Sequence, residues 1–92
     1  MLFILKPHKS LDKICEEYNV EFYDDDYTRL ARAVLDVGNE EEAKRRLDVE
    51  LKRIGRRHGL NGERLEKFKE DAKRTILFYV KSVFTIKAII GD

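Results

Sequence analysis

The chain has 92 residues, of which 40% are charged, with 19 basic and 18 acidic side chains and a net charge of +1. This balance excludes a disordered acidic or basic tail and a histone-like protein, and the length predicts one domain over residues 1–92. The single cysteine, Cys15, excludes a disulfide within the chain and favours a reducing, cytoplasmic location. Glutamine is absent while Glu, Lys and Arg abound, which is typical of thermophiles, although chance in a short chain is the alternative explanation.

Residues typical of helix starts and helix ends predict four helices, near residues 10–18, 24–37, 40–58 and 62–88. Ser10 is placed to cap the first helix, and Asn19 suits a left-handed residue at its end. The apolar residues between them follow the helical i, i+3, i+4, i+7 pattern: Leu11, Ile14, Cys15 and Tyr18. Asp24 is the predicted cap of the second helix, which Gly38 would end. The predicted buried face of the second helix is Tyr27, Leu30, Ala31, Val34 and Leu35.

The third predicted helix begins after Asn39, and Glu42 is placed to complete a capping box. Its apolar stripe is Ala43, Leu47, Leu51 and Ile54. Gly59 is the predicted end, with Leu60 folding back over the last turn in a Schellman-type ending. Gly55 lies inside this helix, where glycine costs roughly 1 kcal/mol relative to alanine, so we expect the last turn to fray.

The fourth predicted helix is long, because no Pro or Gly occurs between Gly62 and Gly91. One stripe is maintained along it: Leu65, Phe68, Ala72, Ile76, Tyr79, Val83, Ile86 and Ile90. The fold class is therefore mainly α, a four-helix single domain with a long C-terminal helix. The predicted core is Leu30, Val34, Leu47, Leu51, Ile54, Leu65, Phe68, Ala72, Ile76 and Tyr79.

Residues 82–90 also admit a second interpretation. Apolar residues alternate there with Lys and Thr, and β-branched residues abound, so a strand paired with a short N-terminal strand at residues 2–6 is the alternative to the helix.

After Arg74 a second apolar stripe appears on the flank of the fourth helix: Leu77, Val80, Phe84 and Ala88. One helix can bury only one of its two stripes on its own domain, so the second predicts a protein interface. A homodimer is the simplest expectation, because a two-fold pairing lets one self-complementary stripe cover itself. Cover by the N-terminal Leu2, Phe3, Ile4 and Leu5 is the alternative.

The third helix carries a basic face, defined by Arg45, Arg46, Lys52, Arg53, Arg56 and Arg57. Two rows of cations opposite the apolar stripe suit a phosphate backbone, so nucleic-acid binding is the alternative function. A solvated face supported by i, i+4 ion pairs explains the same residues, the predicted pairs being Glu41 with Arg45, Glu42 with Arg46 and Asp48 with Lys52. A helix-turn-helix centred on Gly38 is disfavoured, because its recognition helix would begin with Glu40, Glu41 and Glu42. Charge is also segregated: residues 10–43 hold eleven acidic and three basic residues, and residues 44–92 hold seven and fourteen.

The remaining motifs predict no enzyme, no cofactor, no metal and no small-molecule substrate. Residues 16–27 (EEYNVEFYDDDY) favour a capped helix start with aromatic residues turned inward over a surface for a basic partner or cations. His8 and His58 lack metal-ligand spacing, Cys15 lies on an apolar stripe, and no glycine-rich phosphate loop is present. The C-terminal apolar run, about fifteen residues, is shorter than the roughly 20 needed for a membrane span.

Overall fold

The computed structural model describes residues 10–90, with side chains up to residue 79. This part of the chain forms four helices: α1 (Leu11–Tyr18), α2 (Asp24–Leu35), α3 (Glu40–Arg57) and α4 (Gly62–Ile90). The mainly α, four-helix fold with a long last helix is confirmed. Because α4 is helical to Ile90, the alternative strand at residues 82–90 is wrong. The predicted N-terminal strand at residues 2–6, like the Leu2–Leu5 cover and His8, lies outside the described residues.

The ends of α1 and α3 follow from local chemistry. Ser10 accepts a hydrogen bond from the backbone N–H of Lys13, as expected of a cap. Asn19 adopts φ 57°, and the Val20 N–H donates to the Cys15 carbonyl at 3.0 Å. A left-handed residue followed by this six-to-one hydrogen bond is a Schellman ending.

The same ending closes α3. Gly59 has φ +87°, and the Leu60 N–H donates to the Gly55 carbonyl at 2.9 Å, as predicted. At the other end, the Asn39 side chain accepts from the Glu42 N–H at 2.8 Å. The Glu42 carboxylate bonds to Arg45 and Arg46, so the reciprocal half of the predicted capping box is wrong.

Helix α2 departs most from prediction. Its cap residue is Tyr23 and not Asp24, and the Asp26 carboxylate accepts from the Tyr23 N–H at 2.8 Å. It ends at Leu35, three residues before Gly38. Its buried residues are Asp26, Leu30, Ala33 and Val34. Tyr27, Ala31 and Leu35, predicted to be buried, are exposed, because the helix is turned so that Asp26 faces α3.

Helix α3 lies between α2 and α4 and packs against both, while α1 packs against α4. The predicted stripe of α3 is fully buried. From α4, the residues Leu65, Phe68 and Ala72 complete the core, with Thr75 as a buried residue that the stripe did not include. The Tyr18 hydroxyl donates to Asp71 at 2.9 Å and joins α1 to α4. Burial and this hydrogen bond raise the pKa of Tyr18 to about 12.

Gly55 has a packing role and not the fraying role predicted for it. A Cβ atom at Gly55 would lie 2.6 Å from Cδ1 of Leu65 and 3.3 Å from the Phe68 ring. At 2.6 Å the buried Leu65 side chain would have to shift to admit a Cβ atom, so the absence of a side chain at Gly55 lets α3 and α4 approach each other closely.

At the far end of α4 the core prediction is only partly right. Ile76 is partly buried, and Tyr79, predicted to be in the core, is 51% exposed. Within residues 10–90, no helix combines the length and the apolar character needed to cross a membrane.

Replacement of Gly55 by alanine should therefore destabilise the protein although alanine is the better helix former. We expect a net loss of up to about 2 kcal/mol in the free energy of unfolding, because overpacking costs about 1–3 kcal/mol and the propensity gain is roughly 1 kcal/mol. Urea denaturation followed by circular dichroism measures it.

Gly38→Ala is the matched control. A Cβ there meets nothing within 4 Å, so its stability should equal or slightly exceed that of the wild type. A Gly55→Ala protein more stable than the wild type would contradict the close helix approach.

Candidate functional site

Helices α3 and α4 run antiparallel and differ in length. Asp48 of α3 bonds to Lys69 and Lys73 of α4 at 3.2 and 3.0 Å. Residues 58–61 connect the helices, which contain 18 and 29 residues. After so short a connection, the longer of two antiparallel helices extends beyond the shorter one by the difference in length, about 16 Å at 1.5 Å per residue.

The first turns of α3 show where α4 begins to extend beyond it. Glu40 and Lys44 line a groove of about 460 Å³ together with Arg74, Leu77 and Phe78 of α4. Residues 79–90, named here the C-terminal extension of α4, therefore continue past the start of α3. The extension starts with the exposed Tyr79.

The predicted interface residues lie at this place. Leu77 is partly buried and packs against the core with one side, at the base of the extension. Val80, Phe84 and Ala88 belong to the helical part of α4, but their side chains lie outside the described residues.

The basic face of α3 is largely engaged in ion pairs. Arg45 and Arg46 both bind Glu42, the latter through Nε at 3.2 Å. Arg53 binds Glu50 at 3.0 Å and Asp26 at 3.1 Å. The predicted i, i+4 pair is present for Glu42 with Arg46, whereas Glu41 with Arg45 and Asp48 with Lys52 are not paired among the described side chains.

Asp26 is the centre of a charge cluster that sequence reasoning missed. Its side chain is 1% exposed, and its two oxygens bind Arg57 at 3.1 and 2.5 Å. Arg57 also donates to the Glu21 carbonyl at 3.1 Å and lies over the Tyr23 ring, 4.4 Å from its centroid. Arg53, Arg56 and Arg57 all lack an acidic residue four positions before them, unlike Arg45 and Arg46, so this pattern did not single out the two partners of Asp26.

These bonds decide the protonation of Asp26. The hydrogen bonds from Arg57 and the backbone of Tyr23 hold the pKa of Asp26 far below its usual range, although burial opposes them. The cluster is thus a carboxylate with two guanidinium partners, and it joins α2 to the last turn of α3.

The remaining candidate residues are the aromatic residues of segment 16–27, His58 and Cys15. In the segment 16–27, Tyr18 and Phe22 are buried, whereas Tyr23 and Tyr27 are each 47% exposed, so only part of its aromatic set turns inward. His58 is half-buried, with Nε2 3.0 Å from the Glu21 carbonyl oxygen. Burial raises the pKa of the Cys15 thiol, which disfavours the thiolate. Among residues 10–79 no group of three His, Cys, Asp or Glu side chains could hold a metal ion.

Comparisons with known proteins return no match: no family model, no curated protein and no solved structure is similar to this chain.

Asp26→Asn should destabilise the fold, because it leaves two arginines facing a neutral amide. We expect a loss of about 2 kcal/mol, less than the roughly 3–5 kcal/mol typical of a buried pair, because Arg53 and Arg57 are partly solvated. Asp25→Asn removes an exposed i, i+4 partner of Arg29 and serves as the control, with a loss below about 0.5 kcal/mol.

The same variant should change the acid response. A carboxylate whose folded pKa is depressed stabilises the protein above its unfolded pKa, about 4, and this contribution is lost as the pH falls towards the folded value. The unfolding free energy of the wild type should therefore fall more steeply between about pH 5 and pH 2 than that of Asp26→Asn. Parallel curves would contradict the ionised Asp26 pair.

Proposed function

We propose that this protein acts through association with a second copy of itself, and that the C-terminal extension of α4 with Leu77 at its base forms the interface. The observation that carries this proposal is the length difference between α3 and α4. The extension has apolar residues at most positions, and it continues beyond the first turns of α3, which lie beside Leu77 and Phe78.

A helix surface of this kind favours burial. Leu77, Val80, Phe84 and Ala88 recur at spacings of three and four, so they follow one side of a straight helix. A soluble monomer rarely exposes an apolar patch larger than about 300–600 Å², and four such residues in a row with Phe78 nearby approach that size. Two copies related by a two-fold axis would bury the stripe against itself.

The proposed role is non-catalytic and cytoplasmic, in a thermophilic source. The sequence contains neither a paired nucleophile and base nor a glycine-rich phosphate loop. Its one cysteine suits a reducing compartment, and the lack of glutamine with many ion pairs suits high temperature.

Sedimentation at about 50 µM tests the proposal. This concentration lies above the micromolar dissociation constants of modest interfaces. The wild type should sediment as a dimer. Phe84→Glu and Leu77→Glu should give a monomer or a precipitate, because each places a carboxylate in the apolar stripe.

Val49→Glu is the matched control. Val49 is an apolar residue of α3 that is 59% exposed, away from the extension, so its replacement should leave the dimer intact. A wild type that is monomeric at this concentration would overturn the proposal.

A further inference from the structure

The surface between α2 and α3 gathers basic side chains from both halves of the chain. A groove of about 410 Å³ there is lined by Arg29 and Arg32 of α2 and by Arg45 and Arg46 of α3. Arg29 and Arg32 belong to the strongly acidic first half of the sequence, apart from the basic face of α3. The fold therefore creates a cluster of four arginines that the linear charge pattern does not show.

The cluster continues along α3. Val49, which also lines the groove, is followed by Lys52 three positions later and by Arg56 seven positions later, on the same side of the helix. We define the α2–α3 basic surface as Arg29, Arg32, Arg45, Arg46, Lys52 and Arg56, all of them exposed. From Arg45 to Arg56 it extends about 16 Å along the helix axis.

Several of these basic side chains have N–H groups that donate to no acceptor among the described residues. Among residues 10–79, the side chains of Arg32, Lys52 and Arg56 make neither a hydrogen bond nor an ion pair. Arg29 and Arg46 bind Asp25 and Glu42 through Nε only, which leaves their terminal amino groups pointing at no protein acceptor among residues 10–79. Six basic side chains beside three carboxylates, those of Asp25, Glu42 and Glu50, give a local net charge of about +3.

We propose that the α2–α3 basic surface binds the phosphate backbone of double-stranded nucleic acid. Guanidinium groups donate two parallel hydrogen bonds to a phosphate, and five of the six cations are arginines. At 3.4 Å per nucleotide of one strand, the length of the surface matches about five nucleotides.

The residues that line the groove favour double-stranded over single-stranded nucleic acid. Binding of single strands depends on aromatic side chains on which bases stack, and none of the described residues that line the groove is aromatic. The half-exposed Tyr23 lies beneath Arg57, and Tyr27 packs edge-on to Phe22, both at the start of α2. Contacts from exposed cations to phosphates alone carry no base sequence information.

This site differs from the basic face predicted from sequence. Arg53 and Arg57 are withdrawn from it because both bind Asp26, and replacing them would disturb the fold together with any binding. Arg29 and Arg32 take their place. The surface does not include α4, so its binding does not depend on the proposed dimer.

Fluorescence anisotropy of a labelled 20-base-pair duplex, a length that exceeds the surface several-fold, tests the site across a salt series. With about four phosphates neutralised, the wild-type affinity should fall roughly 100-fold between 50 and 200 mM NaCl. The double variant Lys52→Gln/Arg56→Gln should bind at least about ten-fold more weakly at 50 mM and lose only roughly ten-fold over the same range, because two phosphate contacts are missing.

Lys13→Gln/Lys67→Gln is the matched control, with the same change in net charge at exposed positions of α1 and α4. It should bind within about two-fold of the wild type, because binding that followed net charge alone would weaken both variants equally. Four results would overturn the proposal: no duplex binding at 50 mM NaCl, equal weakening in both variants, tighter binding of a single strand of the same length, or equal binding of polyglutamate. Circular dichroism confirms that each variant is folded before it is compared.

Discussion

The ion pair between Asp26 and two arginines of α3 is the interaction on which the arrangement of the first half of the molecule depends. Helix α2 buries only Leu30, Ala33 and Val34 as apolar residues, which is a narrow stripe for twelve residues. A carboxylate that is 1% exposed between Arg53 and Arg57 adds directional bonds to this stripe. Apolar contacts tolerate rotation of a helix about its axis, whereas a bidentate pair does not, so Asp26 sets which face of α2 meets α3.

The same pair distributes the charge of the molecule. The acidic first half and the basic second half of the chain are partly neutralised inside one copy, through the ion pairs of Asp26 with Arg53 and Arg57. Because Arg53 and Arg57 bind Asp26, they are not available to an anionic partner. The cations that stay available are those that α3 presents further from Asp26, together with the two arginines of α2. One structural bond thus decides where an anionic partner would find donors.

Local signals were enough to predict the helices and most of the core. The residues that end or cap helices act on backbone groups within their own turn: Ser10, Asn19, Asn39 and Gly59. Their roles can therefore be predicted from a few neighbouring residues. The partners of Asp26 lie 27 and 31 residues away, and no local rule connects them. Gly55 was misjudged for the same reason, because the atoms that require it belong to Leu65 and Phe68 of another helix. The candidate interface followed from periodicity, whereas the basic surface across two helices required the fold.

The unequal lengths of α3 and α4 link the fold to the proposed association. Asn39 and Gly59 limit α3 to 18 residues, while no Gly or Pro interrupts α4 before its end. With four connecting residues, α3 cannot slide along α4 to cover its far end without breaking the Asp48 bonds to Lys69 and Lys73 or the close contact at Gly55. These contacts hold the two helices in one register. The extension of α4 is therefore a consequence of how the core is assembled. Burial of its apolar residues is the driving force for the proposed association.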